Sequence, residues 1–338
     1  MRAIAYRTPG PIDAPDALID VELPRPEAHG RDLLVEVRAV SVNPVDTKVR
    51  ASARPPEGDV RVLGWDAAGT VVAVGPEVTR FAVGDAVYYA GTITRPGTNA
   101  EFHLVDERIV GHKPASLGWA EAAALPLTAI TAWEALFDRL DVARAVPGAS
   151  SILIIGGAGG VGSIAVQLAR RLTDLTVIAT ASRPETRAWV AELGAHAVLD
   201  HSQPLAAALE AAGLPAPGFV FATTHSDVHR AEIAKAIAPQ GRLALIDDPA
   251  AFDVMPFKSK AVSIHWEMMF ARPMWATADV ARQGELLDEV ARLVDAGTLR
   301  TTLAETYGSI DAANLIRAHR AIESGTTRGK IVLEGFGG

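Results

Sequence analysis

Short apolar runs separated by Gly and Pro dominate the first third of the chain. Residues 33–40, 69–74 and 85–90 are rich in Val, Ala and Tyr and predict strands. From about Gly118 the texture changes. Residues 120–136 predict a helix, and a regular alternation follows. Strands are expected at 151–155, 176–180, 197–199, 219–222 and 242–246. Between them, helices are expected at 161–171, at 185–193 (stopped by Gly194), at 205–212 and at 228–238 (stopped by Pro239). Strands alternating with amphipathic helices imply right-handed βαβ units and a parallel sheet. An apolar run at 261–265, helices at 279–296 and 311–323, and a strand at 330–334 close the pattern. The expected organisation is a β-rich domain over 1–121 and 264–338, interrupted by an α/β domain over 122–263.

Composition narrows the function. The 338 residues carry 32 Lys and Arg against 40 Asp and Glu, a net charge of -8. That balance argues against nucleic acid or an anionic membrane as partner, since both need clustered cations. A chain with 49% hydrophobic and 21% charged residues is not globally disordered. The absence of cysteine excludes disulfides, thiolate-ligated zinc, iron–sulfur clusters and a Cys nucleophile. The opening sixteen residues hold Pro9, Pro11 and Pro15 and no apolar core, unlike a secretory leader. Residues 145–169 lack charge, but six glycines there favour strand, turn and helix over a membrane span. The expected location is the cytosol.

The strongest chemical signal follows the strand at 151–155. There the chain reads Gly156-Gly-Ala-Gly-Gly-Val-Gly162 and enters a helix. Gly157, Gly159 and Gly162 have the dinucleotide-binding spacing: a tight turn, close backbone approach to a pyrophosphate, and close packing of helix on strand. With Gly160 and Val161 they open a helix whose N–H groups and dipole face the phosphates. An NAD site needs a carboxylate at the end of the next strand. Here that stretch reads Ile178-Ala-Thr-Ala-Ser-Arg-Pro184, with no acid before Glu185. Ser182 and Arg183, with Arg187 one turn on, suit a 2′-phosphate, so NADP(H) is expected. Arg183 as a solvated loop arginine is the alternative.

The sequence resembles the medium-chain dehydrogenase/reductase superfamily, in its zinc-free quinone oxidoreductase branch, and most closely the zinc-type alcohol dehydrogenase-like proteins. The resemblance rests on Ala39-Val-Ser-Val-Asn-Pro-Val-Asp46, Leu63-Gly-Trp-Asp-Ala-Ala-Gly69, Gly84-Asp-Ala-Val87, Ala123-Ala-Leu-Pro126, residues 153–170 and Gly329-Lys-Ile-Val-Leu333. Ala149 departs from the family signature, which has Gly, Ser or Asp there. The resemblance implies a β-rich GroES-like catalytic domain, a Rossmann domain and a homodimer, for which 261–265 is a candidate sheet edge. It also places Asn43, Asp46 and Thr131 beside the nicotinamide and its ribose, and Thr223, His225 and Lys330 among the cofactor contacts. From the residues alone, Asn43 also suits an Asx-type turn, Asp46 a helix cap, and Thr131 an ordinary helix position.

Zinc members carry a Cys where this chain has Asn43, and Gly-His-Glu where it has Gly64, Trp65 and Asp66. Indole cannot ligate a metal and an amide does so poorly. Of nine histidines only His225 and His229 have metal-like spacing, and two ligands do not make a site, so no metal is expected. His229 is expected to face solvent. Without a Lewis acid, the expected chemistry is hydride delivery to an acceptor already electrophilic, a quinone or conjugated enone. Trp65, Tyr89, Trp266 and Phe270 are the candidate pocket walls, and Tyr89 the candidate hydroxyl donor. Residues 47–60 lack the tyrosine that related enoyl-thioester reductases place there, which counts against acyl-thioester reduction. The alternatives are a zinc-dependent alcohol dehydrogenase and a non-catalytic NADPH-binding protein.

Overall fold

The computed structural model describes residues 1–337. The chain divides into two compact units, Thr131–Met269 and Met1–Ile130 with everything from Phe270 onward. The first dividing point falls inside the helix Pro126–Trp133 rather than at 121.

Thr131–Met269 is built on a six-stranded sheet in which every pairing is parallel. Its order is Ala197–Leu199, Thr176–Thr180, Ser151–Ile155, Phe219–Ala222, Arg242–Leu245 and Ser263–Trp266. The chain starts at the central strand, winds outward to one edge, then returns to wind outward to the other. This is the doubly wound parallel-sheet (Rossmann) arrangement, and its switch point lies between Ser151–Ile155 and Phe219–Ala222, where such sheets open a crevice at their carboxyl ends. Ile152, Leu153, Ile154 and Ile155 are all fully buried, as a strand covered on both faces requires. The helix Gly160–Leu172 presses Ile164, Ala165, Leu168 and Ala169 onto the sheet and keeps Arg170 and Arg171 for its last turn.

Two expected elements differ. The continuous helix at 120–136 is three pieces: Trp119–Ala123, Pro126–Trp133 and a π-helical turn Glu134–Arg139. Pro126 has no N–H to extend the first piece, so a new helix starts there. The edge strand is Ser263–Trp266 rather than 261–265, because Ala261 adopts a left-handed conformation (φ 50°).

The other unit carries a seven-stranded sheet, antiparallel except for its Leu303–Thr306 and Lys330–Glu334 pair. Its centre is Asp32–Ser41, ten residues long and bent by two register shifts. The first half of that strand pairs with Phe102–Asp106 and the last third with Lys330–Glu334. A separate three-stranded sheet joins Ile19–Glu22, Arg2–Tyr6 and Arg61–Val62. The strand Asp32–Ser41 ends against Lys330–Glu334 and passes directly into the helix Pro44–Ser52. That junction assembles the polar cluster described next.

Candidate functional site

The glycine loop fits a dinucleotide by the space it leaves. A Cβ on Gly162 would lie 2.2 Å from the Gly156 carbonyl, and one on Gly157 would lie 2.9 Å from the Ala179 Cβ. Gly159 meets nothing closer than 3.6 Å, so its bare backbone borders open space at the start of the helix. Gly160, Val161 and Gly162 form the first turn of that helix, where N–H groups without a partner in the helix are suited to an anion such as a pyrophosphate. Thr180 steadies the loop by accepting the Gly156 N–H at 3.0 Å, a contact no sequence pattern announced. Thr223 donates its hydroxyl to the Ile155 carbonyl at 2.8 Å and closes the far side of Gly156. These residues fit the cofactor that the spacing predicts.

Ser182 and Arg187 are exposed, and Arg183 is part-exposed at the start of the helix Pro184–Glu192. Arg183 pairs with Glu185 at 3.1 Å, an exposed contact weak enough to yield to a dianion. His225 follows the strand Phe219–Ala222 in a left-handed conformation, exposed, with its Nδ1 2.7 Å from the Thr224 hydroxyl. His229 does not simply face solvent: it is half-buried, its ring 6.0 Å from that of His201. Thr131 is buried in the helix Pro126–Trp133.

In the other unit Asn43, Asp46, Asp66 and Lys330 form one buried network. Pro44 sets the first turn of its helix, and Asp46 reaches back to accept the Asn43 N–H at 2.6 Å. The other Asp46 oxygen accepts the Gly64 N–H at 3.1 Å. Gly64 needs φ 109°, and a Cβ there would meet Thr98 at 2.5 Å, so only glycine presents that N–H. Asp66 accepts from Asn43 Nδ2 at 2.8 Å, from Lys330 Nζ at 3.1 Å and from the Leu127 N–H at 2.7 Å. The Lys330 ammonium spends its remaining protons on the Val42 carbonyl at 3.0 Å and on Asn43 Oδ1. Burial pushes Asp46 up to about 7, aided by Asp66 and opposed by the two N–H groups and Lys330. Asp66 is likewise raised by burial, with Lys330 and Asn43 pulling it down.

This network gathers Asn43, Asp46 and Lys330, three of the expected site residues, around Asp66. Lys330, expected among the cofactor contacts, has all three donors occupied inside its own unit. Asn43 is neither a simple turn residue nor a free amide, for both ends of its side chain are taken. Asp46 does brace its helix, as one of its two tasks. Asp66 stands where zinc members have a ligand, and here it accepts from three donors at once. A carboxylate inside the apolar run 63–68 was the signal that it is a hub.

The aromatic candidates separate. Trp65 and Phe270 meet edge to face at 6.1 Å, both buried, and the indole N–H donates to the Thr92 carbonyl at 3.2 Å. Tyr89 does not offer a hydroxyl to an acceptor. It is fully buried, stacked on His103 with its oxygen 3.1 Å from Nδ1, and burial raises its pKa above the ordinary value. Trp266 stands 54% exposed at the carboxyl end of the sheet's edge strand, against Phe252.

Zinc in a dehydrogenase needs three protein ligands drawn from His, Cys, Asp and Glu. Among the described residues no group of three or more such side chains is placed to hold a metal ion. Asn43 is engaged at both ends and the Trp65 nitrogen has no lone pair to give. The residues present do not fit a catalytic zinc.

The chain carries a doubly wound dinucleotide-binding unit and a β-rich unit, the two parts of a family of oxidoreductases. The chain belongs to the medium-chain dehydrogenase/reductase superfamily. Residues 29–132 match the alcohol dehydrogenase GroES-like domain, and residues 193–333 the zinc-binding dehydrogenase family. A zinc-type alcohol dehydrogenase-like protein of Staphylococcus aureus is 38% identical over 98% of this chain and 99% of its own. A solved Rhizobium etli protein assigned as a zinc-dependent alcohol dehydrogenase is 67% identical, covers 100% of this chain and 98% of its own, and superposes with a TM-score of 0.98. The quinone oxidoreductase of Coxiella burnetii is 26% identical over 99% of both chains, with a TM-score of 0.81. No described helix is long and apolar enough to cross a membrane.

Proposed function

We propose that the protein is an NADPH-dependent reductase that delivers hydride to quinones or conjugated enones without zinc. The observation that carries the reading is that an amide and an indole, Asn43 and Trp65, stand where zinc members have ligands, both engaged within the protein beside a carboxyl, Asp46, raised to near neutrality. The similarity to a quinone oxidoreductase supports it.

Bound NADPH supplies the hydride. The chain does the rest. The Gly157–Gly162 backbone holds the pyrophosphate, and Ser182, Arg183 and Arg187 take the 2′-phosphate. Quinone, NADPH and one proton give hydroquinone and NADP+. Asp46, held up to about 7, exchanges a proton near neutral pH, and the Asn43 and Gly64 N–H groups keep its carboxyl in place. Hydride transfer to an isolated ketone develops a full alkoxide that needs zinc or a strong acid close by, whereas a conjugated acceptor spreads that charge.

Ortho- and para-quinones and small enones are therefore expected to turn over with NADPH, unchanged by a chelator, while ethanol and saturated ketones are not. Oxidation of saturated alcohols faster than reduction of any quinone or enone, or activity lost with stoichiometric zinc, overturns the proposal. NADPH binding without any turnover favours a non-catalytic role.

Arg183→Ala is expected to weaken NADPH by about 1–3 kcal/mol, the worth of a charge-assisted hydrogen bond, and to leave NADH almost unchanged. Fluorescence titration of both cofactors checks this, and equal losses would show that Arg183 does not read the 2′-phosphate.

A further inference from the structure

Thr180 grips both residues that open the glycine turn. Its hydroxyl accepts the Gly156 N–H at 3.0 Å, and its carbonyl accepts the Gly157 N–H at 2.9 Å. The same hydroxyl oxygen lies 3.0 Å from Nδ1 of His201. Strand pairing brings His201 there. Thr180 stands opposite Leu199 in the parallel pair Thr176–Thr180 and Ala197–Leu199, and the Ala181 N–H extends the ladder onto the Leu199 carbonyl at 2.9 Å. The chain then turns at Asp200, whose carboxylate accepts the Ser202 N–H at 2.9 Å and the Ser202 hydroxyl at 2.7 Å. His201 sits inside that turn, at the carboxyl end of the sheet.

Donor and acceptor numbers fix the tautomer. Thr180 is fully buried, so its hydroxyl hydrogen needs an acceptor. The oxygen already receives the Gly156 N–H, and among the described residues Nδ1 of His201 is the acceptor that the hydroxyl meets. Thr180 O–H therefore donates to Nδ1, and His201 carries its own hydrogen on Nε2. A second proton on His201 goes to Nδ1 and turns the acceptor into a donor. The Thr180 oxygen then faces two N–H groups, with its own hydrogen stranded in the interior, and an unmade buried hydrogen bond is expensive. The free turn can escape by opening at Gly156, which is part-exposed, so that water reaches the hydroxyl. A turn closed on a pyrophosphate cannot.

We propose that His201 is a positioning residue for the dinucleotide turn: it holds the turn ready by accepting the Thr180 hydroxyl, and a proton on Nδ1 releases the turn and with it the cofactor. The inference rests on the dinucleotide reading of the glycine loop. The titratable and charged groups around His201 are Asp200 on its own turn, His225 beyond the strand Phe219–Ala222, and His229 on the helix Ser226–Ala236, its ring 6.0 Å away. Arg187, on the helix Pro184–Glu192, acts on Asp200. Burial holds His201 below the ordinary histidine value, opposed by Asp200 and aided by His225. Burial lowers His229 as well, with His201 and His225 adding to it and Asp227 and Asp247 opposing. Both rings are therefore neutral at pH 8. Because the closed turn excludes one proton, affinity for the cofactor falls as pH drops through the His201 value, by at most about tenfold per pH unit.

The test is NADP+ titration of the full chain at pH 8 and pH 5, followed by tryptophan fluorescence, in wild type and two variants. His201→Asn puts a carbonyl oxygen where Nδ1 stands and cannot take up a proton, whereas His201→Leu offers no acceptor. At pH 8 His201→Leu is expected to bind about fivefold more weakly than wild type, the worth of one hydrogen bond, and His201→Asn to stay within about twofold of wild type. At pH 5 His201→Asn is expected to bind more tightly than wild type, by about threefold or more. The 2′-phosphate titrates in this range too, but equally against both proteins, so their ratio is free of it. Imidazole 15N NMR of wild type is expected to show Nδ1 without hydrogen at pH 8, and to lower pH with NADP+ bound than without it. A ratio of wild type to His201→Asn that does not change with pH, equal losses in both variants at pH 8, or a hydrogen on Nδ1 at pH 8 overturns the proposal. Should the variants not fold, the wild-type tautomer and its shift on binding NADP+ decide. Failure of wild type to bind NADP+ or NADPH at all would overturn the functional reading, and this inference with it.

Discussion

Asp66→Ala is expected to lower stability by about 3–5 kcal/mol, the cost of removing one partner of a buried ion pair. Asp66 satisfies three donors at once: the Lys330 ammonium, the Asn43 amide and the Leu127 N–H. Its loss leaves Lys330 buried beside two neutral acceptors, the Val42 carbonyl and Asn43 Oδ1. Asp46 is the only other carboxylate acting on that site among the network residues. Freed of repulsion from Asp66, it would ionise more readily and recover part of the loss. The pairing predicts non-additivity. Asp66→Ala with Lys330→Met should be more stable than Asp66→Ala alone, because the stranded charge is gone. Urea midpoints of the four proteins in this cycle measure it. If the double variant is as unstable as the sum of the singles, the Lys330 contact with Asp66 does not hold the network together.

The parallel-sheet unit was readable because its signals are local. The strand Ser151–Ile155 is a short apolar run ended by Gly156, Phe219–Ala222 and Arg242–Leu245 follow Gly218 and Gly241, and the helix Gly160–Leu172 buries residues at helical spacing. The β-rich unit is held by remote pairing. Ile19–Glu22 alternates intermediate and exposed positions, and it forms a strand only because Arg2–Tyr6 lies beside it. Leu303–Thr306 is half polar and depends on Lys330–Glu334. The site divides in the same way. The glycine loop is contiguous, so spacing announced it. The Asp46, Asp66 and Lys330 network joins segments up to 284 residues apart in the chain (46 to 330), and no local pattern brings them together. Tyr89 misled for a related reason. Its hydroxyl suggested a donor, but it ends the buried strand Ala86–Tyr89 and finds its partner in His103, on another strand of the same sheet.

Gly162→Ala and Gly159→Ala are expected to fail in different ways, and the difference tests the cradle itself. The Gly162 Cβ would sit 2.2 Å from the Gly156 carbonyl oxygen and within 2.8 Å of two Gly157 backbone atoms, none of which can swing aside. Helix and turn must part by an ångström or more. Forced overpacking of this kind costs about 1–3 kcal/mol, and the backbone clash places Gly162→Ala at the upper end. The parted turn also misdirects the N–H groups that hold the pyrophosphate, so NADPH affinity should fall by about 100-fold or more, some 3 kcal/mol. At Gly159 the added methyl meets only the Gly156 oxygen at 3.6 Å, an ordinary contact. Its backbone is extended at φ -69°, which alanine adopts freely, so folding stability should change by less than about 0.5 kcal/mol. The methyl instead occupies the space a phosphate must enter, and affinity should still fall at least tenfold. Thermal unfolding without cofactor, set beside NADPH titration, separates the two. Equal destabilisation by both variants, or unchanged NADPH affinity in Gly159→Ala, would mean that the loop does not cradle the pyrophosphate.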